Sequence, residues 1–189
     1  MPDNCNVLAV QLRALAQHIA IVGHSRLGKT ALWCSAQDER FSLTVSNDSG
    51  CCGAALSRGK TGEKIADITK NFPYWFCGKL VSFAEKENEL PLDQHMLLAL
   101  TAPRGLLINS ASEDSWADPK SEYLSAAAAS TAFELLGEAG LPDIEREPIT
   151  GERLLTGTAA YCLRKGTHYL SRTDWLNILE YRAVHNGRF

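Results

Sequence analysis

The sequence predicts an α/β fold in which a mostly parallel sheet is covered by helices on both faces. Short apolar runs typical of buried strands alternate with segments of helical length. Glycine-containing or polar turns separate these segments. Chemically reactive side chains stand directly after several of the apolar runs, where open α/β sheets collect their functional sites. These observations together predict one α/β unit over residues 1–189 with a site at the carboxyl edge of its sheet.

The predicted elements follow each other in simple alternation. Strands are predicted at residues 19–22, 41–46, 106–110 and 158–163. Helices are predicted at 7–17, 28–37, 90–100 and 121–137, with a last helix that begins near Thr173. Residues 140–151 are expected to form a polar loop, and residues 51–89 show no regular period. The aromatic run FPYWF at 72–76 predicts either a pocket wall or a packing cluster without a substrate role.

Composition excludes several classes of protein. The chain has 189 residues, 45% hydrophobic and 22% charged, with a net charge of −3, which suits a packed core and argues against nucleic-acid binding. No apolar run is long enough for a membrane span, and no signal peptide is visible. The six cysteines are too scattered for a zinc site, so we expect no metal and no cofactor. The sequence leaves two states of the cysteines possible: a disulfide between Cys77 and either Cys51 or Cys52, or free thiols.

The segment GHSRLGKT at residues 23–30 dominates the sequence, because it joins a predicted strand to a predicted helix. It matches a nucleophile elbow with Ser25 at the tip, although the second glycine stands at 28 instead of 27. It also satisfies the phosphate-binding P-loop pattern, in which Lys29 and Thr30 would serve a nucleotide. The local pattern does not decide between these two chemistries.

The other strand ends favour the elbow. Asp48 follows the second strand, Glu113 and Asp114 follow the third, and His168 follows the fourth. Serine, acid and histidine in this order along the chain are typical of α/β-hydrolases. The P-loop interpretation leaves His168 without a role, so the constellation predicts a serine hydrolase.

The sequence resembles the bacterial branch of the glucuronoyl esterases, carbohydrate esterases of α/β-hydrolase fold. The similar motifs are GHSRLGK at 23–29, NDSG at 47–50, LPLDQH at 90–95, WADP at 116–119 and GTH at 166–168. The resemblance covers about residues 19–182, whereas residues 1–17 match poorly. It implies the C-terminal portion of the family's domain, without its N-terminal strands. It also implies hydrolysis of glucuronate esters in plant cell-wall lignin–carbohydrate links, in a secreted or periplasmic protein.

The resemblance further implies roles for individual residues. Ser25 would be the nucleophile and His168 the general base. Arg26 would offer its backbone N–H and its side chain to the oxyanion. Lys29 would contact the hydroxyls of the uronate, and Trp116 is a candidate sugar contact.

The identity of the orienting acid stays open between two residues. Asp48 stands where many members of the family carry a glutamate, and its side chain is one methylene shorter. Asp114 follows the third strand, the usual acid position of α/β-hydrolases. We therefore expect Asp114 to orient His168, with Asp48 nearby in support and Glu113 a weaker candidate.

Other functions remain as alternatives. The chain is alternatively an acetyl-xylan or other carbohydrate esterase, an inactive truncated remnant, or a P-loop nucleotide-binding protein. Under the favoured reading, its partner is a small-molecule or polysaccharide uronate ester, and we expect a monomer without nucleic-acid or membrane contacts.

Overall fold

The computed structural model describes residues 18–142 and 146–189, so the helix predicted at 7–17 lies outside the described residues. A five-stranded sheet forms the centre, with strand order β1-β2-β3-β5-β4. Its strands are β1 (Ile19–His24), β2 (Phe41–Asn47), β3 (Gly105–Ala111), β4 (Arg153–Leu154) and β5 (Ala159–Arg164). All neighbours pair in parallel except β4, which is antiparallel to β5.

Within the described residues, five helices accompany the sheet: α1 (Arg26–Gln37), α2 (Ile65–Asn71), α3 (Gln94–Ala99), α4 (Pro119–Leu135) and α5 (Arg172–Val184). Two short 3₁₀ turns, Leu80–Phe83 and Glu87–Glu89, connect α2 to α3. No helix in the described residues combines the length and the apolar character that crossing a membrane requires.

The apolar core lies on both faces of the sheet, as strands buried on two sides require. On one face, Leu106 and Ile108 of β3 belong to a cluster with Phe133 of α4. On the other face, Leu107 packs in a cluster with Tyr181 of α5. The predicted α/β class, with a mostly parallel sheet and helices on both faces, is confirmed.

Several boundaries differ from prediction because side chains cap the helices. The helix predicted from residue 90 begins at Gln94, because the carboxylate of Asp93 accepts the Gln94 N–H at 2.7 Å and so acts as the N-cap. The last helix, predicted to begin near Thr173, begins at Arg172, because Ser171 caps it through a capping box with Asp174. The two-residue strand β4 was not predicted, since it is too short to show a period.

Candidate active site

Ser25 lies in a strained turn between β1 and α1. Its backbone has φ 57° and ψ −125°, a conformation that residues other than glycine rarely adopt. A Cβ at Gly23 would lie 2.0 Å from the carbonyl oxygen of Leu27, and one at Gly28 would lie 2.8 Å from the Cβ of Ser49. The turn therefore requires glycine at positions 23 and 28. The second glycine of this elbow is needed at 28, one residue later than in the usual motif.

Ser25, His168 and Asp114 form one hydrogen-bonded chain. The hydroxyl oxygen of Ser25 lies 2.9 Å from Nε2 of His168. On the other side of the ring, Oδ2 of Asp114 accepts from Nδ1 of His168 at 2.6 Å. This second bond favours the tautomer with its proton on Nδ1, which leaves Nε2 free to accept the serine proton.

The hydrogen bond between His168 and Asp114 shifts the pKa values of both residues. The hydrogen bond to Asp114 raises the pKa of His168, because it stabilises the imidazolium. Burial acts to raise the pKa of Asp114, but hydrogen bonds from His168 and from the backbone of Ala117 outweigh it, and the net shift is downward. Asp114 therefore stays ionised beside an imidazole that readily takes up a proton.

Asp48 lies close to Asp114 and His168, but its hydrogen bonds are made with other residues. Its side chain is buried, Oδ1 accepts from the Ala111 N–H at 2.7 Å, and Oδ2 accepts from Nη2 of Arg164 at 3.1 Å. Burial and the nearby carboxylate of Glu122 raise the pKa of Asp48 to about 8, although Arg164 opposes the shift. No hydrogen bond between Asp48 and His168 occurs among the described residues.

Arg164, which the sequence reasoning missed, fixes the loop that carries His168. Its Nε donates to Asp174 at 2.8 Å, and its Nη2 donates to the carbonyls of Thr167, at 3.0 Å, and Tyr169. Its side chain is 4% exposed. A charged residue at the end of a buried strand was the available signal.

In the described part of the chain, one set of acidic and imidazole groups is close enough for a metal ion. Ligand atoms of Asp48, Asp114 and His168 lie within 4.8 Å of one another. However, the guanidinium of Arg164 already faces Asp48, and the other two residues bond to each other. This donor set favours a hydrogen-bonded triad over a metal centre.

Ser25 opens into a cleft of about 400 Å³. The cleft is lined by twelve residues, which include Arg26, Lys29, Trp116 and His168 among those predicted from sequence. Lys29 Nζ donates to the carbonyls of Ser49 and, at 2.7 Å, of Cys51. Trp116 is 53% exposed, so much of its surface is available to a ligand.

Two further parts of the cleft come from residues 51–89, where the sequence showed no pattern. Glu63 lies 4.0 Å from Lys29 Nζ and its burial raises its pKa. Phe72 and Trp75 line the cleft, whereas Phe76 packs against a buried cluster with Ile68. The aromatic run thus supplies both a cleft wall and a packing cluster.

The remaining candidates lie elsewhere. Glu113 is exposed and its side chain does not line the cleft. Thr30 donates to the carbonyl of Arg26, within its own helix, instead of pointing to a nucleotide site. The cysteines in the described residues are free thiols, and Cys51 and Cys52 have their sulfur atoms 3.8 Å apart.

The sequence is similar to those of known carbohydrate esterases. A sequence model described as "Glucuronyl esterase, fungi" matches residues 6–137. A curated carbohydrate esterase from an unknown prokaryotic organism is 49% identical over 167 residues, 88% of this chain and 38% of that protein. A 4-O-methyl-glucuronoyl methylesterase from Phanerochaete chrysosporium is 34% identical over 132 residues, 65% of this chain and 28% of that protein.

Solved structures of bacterial esterases also superpose on this chain. A glucuronoyl esterase from Solibacter usitatus superposes with a TM-score of 0.84 at 43% identity, over 89% of this chain and 43% of that one. A promiscuous esterase of carbohydrate esterase family 15 from a marine bacterial metagenome gives a TM-score of 0.87 at 48% identity, over 90% of this chain and 42% of that one. The chain thus spans less than half the length of these relatives.

Proposed function

The chain belongs to the glucuronoyl esterase family, whose members are carboxylic ester hydrolases, and we propose that it is a serine esterase acting on esters of 4-O-methyl-glucuronic acid. The observation that carries the proposal is the bonded chain from Ser25 through His168 to Asp114. The name of the Phanerochaete chrysosporium relative supplies the substrate class.

In the proposed reaction, Nε2 of His168 takes the proton of Ser25 as the serine oxygen attacks the ester carbonyl carbon. The carbonyl π electrons move to oxygen and form a tetrahedral oxyanion. This collapses to an acyl-enzyme, and the leaving alcohol takes the proton from the imidazolium. Water, deprotonated by the same imidazole, then attacks the acyl carbon; the bond to the serine oxygen breaks, the imidazolium returns its proton to that oxygen, and the uronic acid is released. Asp114 stabilises the imidazolium in both steps.

Arg26 is the proposed oxyanion stabiliser. It is the first residue of α1, so its backbone N–H belongs to the free donors at the helix N-terminus, where negative charge is favoured. Its side chain lines the same cleft as Ser25. A guanidinium beside a forming oxyanion gives a charge-assisted hydrogen bond that strengthens as the charge develops.

Lys29, Glu63 and Trp116 are the proposed sugar contacts. Lys29 and Glu63 both line the cleft, with Nζ 4.0 Å from a carboxylate oxygen, and an ammonium donor beside a carboxylate acceptor suits neighbouring sugar hydroxyls. Trp116 offers an apolar surface for the C–H face of a sugar ring. A protein that hydrolyses esters of the plant cell wall would act outside the cytoplasm, as a secreted or periplasmic enzyme.

The test is hydrolysis of methyl 4-O-methyl-glucuronate, compared with methyl galacturonate and acetyl-xylan. We expect the glucuronate ester to be preferred and Ser25→Ala to abolish turnover, with the exposed Ser82→Ala as the matched control. Preference for acetyl-xylan would indicate a carbohydrate esterase of another specificity. A folded protein that hydrolyses none of the three would contradict the proposal.

A further inference from the structure

Arg26 occupies an unfavourable place for a cation. It begins α1, and the positive end of a helix dipole repels a positive side chain. Its side chain is exposed, and it makes no ion pair with any carboxylate in the described residues. A long, flexible arginine in this situation populates many rotamers, and only a fraction of them would place the guanidinium over Ser25.

One neighbour limits this freedom. The guanidinium carbon of Arg26 lies 5.6 Å from the ring centroid of Trp75, within the range of a cation–π interaction. The ring of Phe72 is stacked on the ring of Trp75, with 3.9 Å between their centroids and an interplanar angle of 10°. Trp75 remains 40% exposed and lines the cleft, so the stack stands beside the reacting centre rather than within the core.

We propose that Trp75 is a positioning residue that holds the side chain of Arg26 ready for the oxyanion, with Phe72 as its support. The inference rests on the proposed function, in which Arg26 stabilises the oxyanion. An aromatic face suits this task better than a carboxylate. The ring attracts the cation through its π electrons, whereas a carboxylate would neutralise the charge and occupy the N–H donors that the oxyanion needs.

This role predicts an effect on kcat more than on KM. The oxyanion exists only in the transition state and the intermediate, so a misplaced Arg26 costs little in substrate binding. For Trp75→Leu we expect kcat to fall about fivefold with KM nearly unchanged, since an exposed cation–π contact has that order of strength. Trp75→Phe keeps an aromatic face and should retain most of the activity.

The experiment is a double-mutant cycle with Arg26→Met, Trp75→Leu and the double variant, measured as kcat. The control is Tyr74→Leu, because Tyr74 is 97% exposed and does not line the cleft. We expect Trp75→Leu to have no further effect once Arg26 is replaced. An equal loss in both backgrounds would overturn the inference. So would a higher KM for a benzyl ester at unchanged kcat, which would make Trp75 a contact for the alcohol.

This test is separable from the proposed function. The oxyanion is common to all esters, so the cycle is read on whichever ester the protein hydrolyses, p-nitrophenyl acetate included. Failure of the glucuronate preference would contradict the proposed substrate and leave the coupling measurable. Additive losses in an enzyme that does hydrolyse glucuronate esters would contradict only the role of Trp75.

Discussion

Replacing Asp114 with asparagine should nearly abolish turnover. The buried carboxylate of Asp114 accepts from Nδ1 of His168 at 2.6 Å, a short and partly buried bond. An amide in its place can present its NH₂ group to Nδ1, which then requires the proton on Nε2. In that tautomer His168 cannot accept the proton of Ser25. In a serine protease the equivalent change lowers kcat about 10⁴-fold. We expect a fall of about 10³- to 10⁴-fold here, or about 4 to 5.5 kcal/mol of activation free energy.

Asp48→Asn should have a much smaller effect. The oxygens of Asp48 face the Ala111 N–H and Arg164, not His168. Its pKa of about 8 means that much of the population is already protonated at neutral pH, and asparagine resembles this neutral form. We expect kcat to fall less than about tenfold, the scale of one weakened hydrogen bond.

The assay is kcat for methyl 4-O-methyl-glucuronate under saturating conditions, with circular dichroism as the check on folding. Glu113→Gln is the matched control, because Glu113 is adjacent to Asp114 in sequence but exposed. Asp114→Asn should rank far below Asp48→Asn, which should lie near the control. The reverse ranking would refute the reasoning and assign the orienting role to Asp48.

Three other outcomes follow from the site. Lys29→Met should lower kcat/KM for a glucuronate ester about tenfold or more, but that for p-nitrophenyl acetate far less, if the ammonium binds a sugar hydroxyl; equal losses would indicate a folding role. Because Asp114 raises the pKa of His168, the base form should appear only above the ordinary imidazole value of 6.5, and the acid limb of kcat/KM measured against pH should reflect this; a limb below that value would contradict the assignment. Asp48 holds a proton in the folded state from its ordinary pKa of 3.8 up to about 8, so its contribution to the free energy of unfolding falls as pH rises across this interval. The free energy of unfolding, measured with denaturant at several pH values, should fall less steeply with pH for Asp48→Asn than for the parent. Equal slopes against pH would count against the raised pKa of Asp48.

The sheet and the positions of the reactive strand ends could be predicted from sequence for physical reasons. Short, mainly apolar segments leave a clear pattern when a strand is buried on both faces, as in the strand predicted at 106–110, which spans 105–111 in the structure. Parallel strands bring their carboxyl ends to one edge, so Ser25, Asp114 and His168 were expected to approach each other. The structure places them within hydrogen-bond distance.

The finer features of the site depend on contacts that no local pattern encodes. Asp48 and Asp114 both follow strands, and only the position of Arg164, 116 residues after Asp48, shows where the Asp48 carboxylate points. Glu63 and Trp75 come from an irregular segment without a hydrophobic period. Their place in the cleft depends on tertiary packing, such as the backbone bond from Glu63 N–H to the Trp116 carbonyl at 3.0 Å.

The central claim is that Ser25 is an activated nucleophile within a working triad. The most direct measurement is covalent labelling of the protein by a fluorophosphonate, followed by mass spectrometry of the labelled peptide. We predict one label per chain, on Ser25, with labelling abolished in Ser25→Ala and strongly slowed in His168→Ala. A folded protein that takes up no label, or takes it up elsewhere than on Ser25, would contradict the account.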